Sequence, residues 1–103
     1  MTKNFGLSEN NYLEIQKRIQ TFLKNKTQTT VFVFGSRAKA TEKKYSDLDL
    51  WIDSTPPMNL SEISELSDIF ESSDMPIKID IVTPMNCFEG YQSRILSERI
   101  FWF

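Results

Sequence analysis

The sequence predicts an α/β domain, a small mixed sheet of three to four strands covered by about four helices, and three patterns carry that prediction. Val31-Phe32-Val33-Phe34 is a short apolar run, β-branched and aromatic, that suits a buried strand. Ile77, Ile79 and Ile81 alternate with Lys78, Asp80 and Val82 at a strand's period of two. Before and between these runs, apolar residues recur at helical spacing. The resulting order, helix, strand, helix, strand, helix, strand, helix, is that of a sheet with helices laid on it. Helical crossovers favour parallel neighbours, but pattern alone leaves the strand directions open.

Each element follows from local chemistry. Ser8 is a good N-cap, and Leu7 before it can staple onto Tyr12; Tyr12, Ile15, Ile19, Phe22 and Leu23 then form one helical face. The strand through Phe34 stops at Gly35-Ser36. Residues 37 to 45 are polar and lysine-rich, which predicts a helical turn and then a loop. A second strand runs from about Leu48 to Asp53, ended by Thr55-Pro56-Pro57. Asn59 can cap the next helix, Glu62 completes a capping box, and Leu60, Ile63, Leu66 and Phe70 supply its buried stripe. Met75-Pro76 marks its end. Pro84 and Asn86 open a last helix to about Ser97, and Ile100-Phe101-Trp102-Phe103 follows as either an edge strand capping the core or an apolar patch for a partner.

With 103 residues and 40% hydrophobic content, the chain has material for one core, so residues 1–103 read as a single domain. A lone cysteine, Cys87, cannot form an internal disulfide, and no apolar run approaches the roughly 20 residues of a membrane span. The default expectation is therefore a soluble cytoplasmic protein with no membrane partner. Twelve Lys plus Arg against fourteen Asp plus Glu leave no basic footprint for long nucleic acid. The absence of histidine removes Ser-His-Asp and Cys-His arrangements and most zinc sites. Any catalysis must rest on carboxylates, lysine, arginine, hydroxyls and oxygen-bound metal.

Asp47 and Asp49, two apart on a strand, project from one face, while Leu48 and Leu50 point into the core and fix the register. Asp80 lies between Ile79 and Ile81, where a charge needs a compensating cation. If its strand pairs beside the one carrying Asp47 and Asp49, three carboxylates converge, and this hard-oxygen set selects Mg2+ or Mn2+. Phe34-Gly35-Ser36-Arg37 supplies a second half: a strand running into Gly-Ser offers backbone N–H groups and the Ser36 hydroxyl to a phosphate, with Arg37 adding charge. Metal-holding acids beside a phosphate cradle are what phosphoryl or nucleotidyl transfer requires. By contrast, Lys39, Lys43 and Lys44 read as a solvated loop, Asp53 as a strand end, and Cys87 as an ordinary thiol.

Gly35-Ser36, ten residues from Arg37 to Ser46, and Asp47-Leu48-Asp49 resemble the signature of the nucleotidyltransferase superfamily that includes DNA polymerase beta. Ile79-Asp80-Ile81-Val82 resembles the segment carrying its third acid. Gly-Ser-Arg-Ala followed by Ser-Asp-Leu-Asp-Leu is most similar to the minimal nucleotidyltransferases, MNT. The resemblance implies a nucleotidyltransferase-like fold, Gly35 and Ser36 on the triphosphate of ATP, Asp47 and Asp49 on metals (two Mg2+ ions, or Mn2+), and Asp80 activating an acceptor hydroxyl. It also implies an antitoxin that moves AMP onto a tyrosine of a HEPN-domain toxin. An alternative is a non-catalytic antitoxin acting by direct contact; nucleotidylation of a small molecule is a third reading, set last because the chain lacks extra substrate-binding segments. The apolar tail offers a surface for homo- or hetero-oligomers. The family pattern has glycine where this chain has Ala40; if that position is left-handed, alanine costs on the order of 1 kcal/mol.

Overall fold

The structure is a computed structural model describing residues 4–103. Helix α1 (Glu9–Phe22) starts as its cap predicts, the Ser8 hydroxyl accepting the Asn11 N–H at 3.1 Å. Strand β1 (Gln28–Phe34) leads through a long loop into β2 (Leu48–Thr55). Helix α2 (Leu60–Glu71) opens with the expected capping box: Asn59 accepts from the Glu62 N–H, and the Glu62 carboxylate accepts from Asn59. Strand β3 (Ile79–Val82), helix α3 (Glu89–Glu98) and the two-residue β4 (Ile100–Phe101) complete the chain.

The strands form one mixed sheet in the order β3-β2-β1-β4. β1 lies antiparallel to both β2 and β4, whereas β2 and β3 are parallel. A parallel pair needs a crossover, and α2 provides it. Along β2 the alternation works as predicted, with Leu48, Leu50 and Ile52 buried in a core shared with Ile15 and Ile19 of α1, Val31 and Val33 of β1, and Ile63, Leu66 and Phe70 of α2. Ile79 and Ile81 join the same core, so Asp80 must face the other way. On that opposite face Trp51 and Ile95 are buried outside the main core.

Two expectations change. The described chain has three helices rather than about four, because the segment after Gly35 makes a single turn: the N–H groups of Ala38 and Lys39 both reach the Gly35 carbonyl at 3.2 Å. Ala40 then adopts a left-handed φ of 57°, which stops helical propagation. The last helix begins at Glu89 rather than near Asn86, because the Asn86 side chain bonds back to Thr83 and to the Ile81 carbonyl, holding residues 83–87 in turns. The C-terminal segment is an edge strand with a cap on the core. The Val31 N–H donates to the Phe103 carbonyl at 2.7 Å, and Trp102 is buried against Phe5 and Tyr12. Within this tail Phe101, 63% exposed, is left on the surface as an apolar contact point.

Candidate active site

Parallel pairing sets Asp49 directly opposite Asp80. Both side chains leave the sheet on the face away from the leucine and isoleucine core. Burial, first of all, pushes the Asp49 carboxyl up to about 6; the charge of Asp80 and the charge of Asp47 act in the same direction, while Lys78 opposes them. The cation that Asp80 requires is Lys78, whose ammonium lies 3.5 Å from its carboxylate. Asp47 is exposed at the foot of β2, within electrostatic reach of Asp49.

Gly35 lies directly beside this pair. Its φ of 75° is left-handed, and a Cβ there would collide with the Asp49 carboxylate. The position thus requires glycine for both backbone and space. Among the described residues, the N–H groups of Ser36 and Arg37 have no hydrogen-bond acceptor, as an anion-binding turn after a strand needs.

The Arg37 side chain is where the structure departs most from the sequence reading. Instead of facing a phosphate, it is 3% exposed and turned inward. It donates to the carbonyls of Ser46, Lys44 and Phe5, with the Phe5 bond at 2.9 Å. A fixed fork of donors meets a set of carbonyls that the loop leaves unpaired, so this side chain ties the loop to the N-terminal segment rather than adding charge to a ligand.

A cleft of about 640 Å3 opens over the acids between α2 and α3. Gly35, Asp49 and Asp80 line it, but Ser36 and Asp47 do not. It also takes in residues that sequence reasoning passed over. Lys39, expected in a solvated loop, lies at its rim and pairs with Glu98 at 3.2 Å. Phe88 and Tyr91, 79% and 61% exposed, stand edge to face with centroids 6.5 Å apart. Cys87 is half-buried in the same wall. In the sequence Phe88 and Tyr91 are aromatic residues three apart near the start of the last helix, and nothing else marks these positions for a cleft. Asp53 is more than a strand end, accepting from Trp51 Nε1 and pairing with Arg99 at 3.1 Å.

The acids suit a divalent cation by their chemistry: hard oxygen donors, one of them pushed up to about 6 by burial and then by its acidic neighbours. The fit is incomplete in one respect. Among the described residues no three His, Cys, Asp or Glu side chains already stand as a metal cage: the exposed Asp47 stands apart from the Asp49–Asp80 pair, so the expected convergence of three carboxylates is reduced to two.

The sequence profile described as Polymerase beta, Nucleotidyltransferase matches residues 16–102, from α1 to the tail. The chain belongs to that nucleotidyltransferase family. Among its family relatives is MntA of Haemophilus influenzae, named for protein adenylyltransferase activity, 45% identical over 66 residues that make up 64% of this chain. The chain spans 58% of the length of that relative. A Methanocaldococcus jannaschii protein, also named for protein adenylyltransferase activity, is 29% identical over 90 residues, covering 86% of this chain and 91% of that protein. These relatives agree with the resemblance of the motifs to the minimal nucleotidyltransferases. A chain from a toxin–antitoxin crystal structure with AMP-PNP shares the nucleotidyltransferase fold at a TM-score of 0.64 and 17% identity, over 84% of this chain and 72% of that one.

Proposed function

We propose that this chain transfers AMP from ATP to a protein hydroxyl, a tyrosine of a HEPN-domain toxin, and so acts as a cytoplasmic antitoxin. The observation that carries the reading is the in-register Asp49–Asp80 pair beside Gly35, two acids from neighbouring strands next to the turn that follows β1. The names of the relatives support the same reaction class.

In this reading the triphosphate lies against the turn after β1, where the Ser36 and Arg37 N–H groups and the Ser36 hydroxyl receive its oxygens. Asp47, Asp49 and Asp80 would hold Mg2+, which when bound supplies neutralisation of the triphosphate and of the departing pyrophosphate. Asp80 accepts the proton of the acceptor hydroxyl as that oxygen attacks the α-phosphorus and the bond to the β-phosphate oxygen breaks. Lys78 sets a positive charge 3.5 Å from the Asp80 carboxylate.

The test is incubation with ATP labelled at the α-phosphate, Mg2+ and the product of the adjacent gene. Label is expected on that protein with wild type and not with Asp47→Ala. No labelling by wild type, or undiminished labelling by the variant, refutes the transfer.

A second reading, neutralisation by contact alone, has the exposed Phe101 in its favour. The same Asp47→Ala protein separates the two, since contact alone predicts that protection survives the substitution.

A further inference from the structure

β3 is an edge strand, and its open side lies in the same cleft as the acids. In a parallel ladder, successive residues direct their backbone groups alternately to one neighbour and to the other side. The Leu48 N–H donates to the Lys78 carbonyl, and Asp49 is the partner of Asp80. Lys78, Asp80 and Val82 therefore bond toward β2, and the backbone groups of Ile79 and Ile81 point outward. Of these, the Ile81 carbonyl is taken by the Asn86 side-chain amide at 3.0 Å. The Ile79 N–H and carbonyl and the Ile81 N–H have no partner among the described residues. The strand is short and its charges, Lys78 and Asp80, pair with each other; it carries no proline and no bulge, and its side chains at 79 and 81 are apolar, so the outward amides of Ile79 and Ile81 are left for a partner. α2 and α3 stand on either side and leave the strand accessible along the cleft floor.

The geometry points to this edge as the docking site of the acceptor, which binds as an extended polypeptide segment that adds a strand to the sheet beside β3. This deepens the transfer reading above and rests on it. Register is the reason for preferring an extended segment. A strand added at the usual spacing of about 4.8 Å directs every second side chain to the face that carries Asp49 and Asp80. The residue opposite Asp80 then continues the row Asp49, Asp80, acceptor, and its hydroxyl arrives beside the carboxylate that takes the proton. Phe88 and Tyr91, exposed at the cleft wall, are placed to receive an aromatic acceptor ring. A folded helical surface would leave the outward amides of Ile79 and Ile81 unpaired.

The experiment uses the full chain, Mg2+, ATP labelled at the α-phosphate, and synthetic peptides of randomised sequence with one central tyrosine. The best-labelled peptide is remade with a single backbone N-methyl group at each position in turn. Alternate positions around the tyrosine should lose labelling by about tenfold or more, the effect of deleting a strand hydrogen bond and adding a clash, while the positions between them keep it. In parallel, amide exchange at Ile79 and Ile81 should slow when the peptide and AMP-PNP are added, with Asp80 and Val82 unchanged. A labelled peptide with no alternating pattern, or with exchange at Ile79 and Ile81 unaltered, overturns strand docking and leaves the transfer standing. Labelling of the folded product of the adjacent gene but of no peptide does the same. Absence of labelling on any peptide or protein sinks the transfer reading, and this proposal with it.

Discussion

Asp49 and Asp80 face each other across the parallel ladder of β2 and β3, and burial together with the neighbouring charge of Asp80 pushes the Asp49 carboxyl up to about 6. Two like charges held together in this way destabilise the fold that holds them, and are kept where a cation or a proton is meant to be handled. Asp80→Asn removes one of them without changing shape. It should raise the melting temperature of the metal-free protein at pH 7 while lowering transfer by about a hundredfold or more, the usual scale for losing an acid–base group. A thermal melt and a transfer assay on one preparation check both signs.

The pH dependence of metal-free stability follows from the same pair. The unfolded chain releases the Asp49 proton near 4, whereas the folded chain keeps it to about 6. Between those values the native state binds more protons, so the contribution of Asp49 to stability is present below about 4 and is lost as the pH rises to about 6. The melting temperature of wild type should fall across that window relative to Asp49→Asn. A wild-type curve parallel to that of the variant contradicts this.

Ala40→Gly is expected to stabilise. The left-handed φ of 57° costs an alanine about 1–2 kcal/mol, partly offset by the greater freedom of glycine in the unfolded chain. A net gain of about 0.5–1 kcal/mol should appear as a rise of several degrees in melting temperature for a domain of this size.

Gly35→Ala is expected to do the opposite. The left-handed backbone alone costs about 1–2 kcal/mol, and the new methyl group must displace the Asp49 carboxylate. Stability and transfer should both fall, with transfer reduced by more than the roughly tenfold that a mild local shift would give. A stable Gly35→Ala protein with full activity would show that the turn does not depend on this contact.

Arg37→Lys separates the two roles considered for that residue. Because the guanidinium holds the loop carbonyls of Ser46, Lys44 and Phe5, lysine should cost about 2–4 kcal/mol in denaturant unfolding. The KM for ATP should stay within about threefold of wild type, since no uniform binding interaction with the phosphates is removed. A large rise in KM with little loss of stability would return Arg37 to the phosphate.

Much of the fold was legible because local chemistry and tertiary structure agree. Ser8, Asn59 and Glu62 cap as their types predict, and Leu48, Leu50, Ile79 and Ile81 alternate into one core. That alternation alone put Asp49 and Asp80 on outward faces. What it left open was whether their strands are neighbours and which way they run, since pairing between distant segments leaves no period in the sequence. Arg37 was misread for a related reason: the carbonyls that bury it come from residues 5, 44 and 46, and nothing at position 37 announces them. Lys39, Phe88 and Tyr91 enter the cleft only because α3 crosses the acid-bearing face, a placement set by packing around Trp51 and Ile95.

The most direct measurement is a Mn2+ titration followed by electron paramagnetic resonance, in the presence of AMP-PNP, on wild type, Asp49→Asn and Asp80→Asn. If the two strands build one cation site, each substitution should weaken Mn2+ binding by about tenfold or more, although the residues are far apart in sequence. Wild-type affinity in either variant would contradict a shared site.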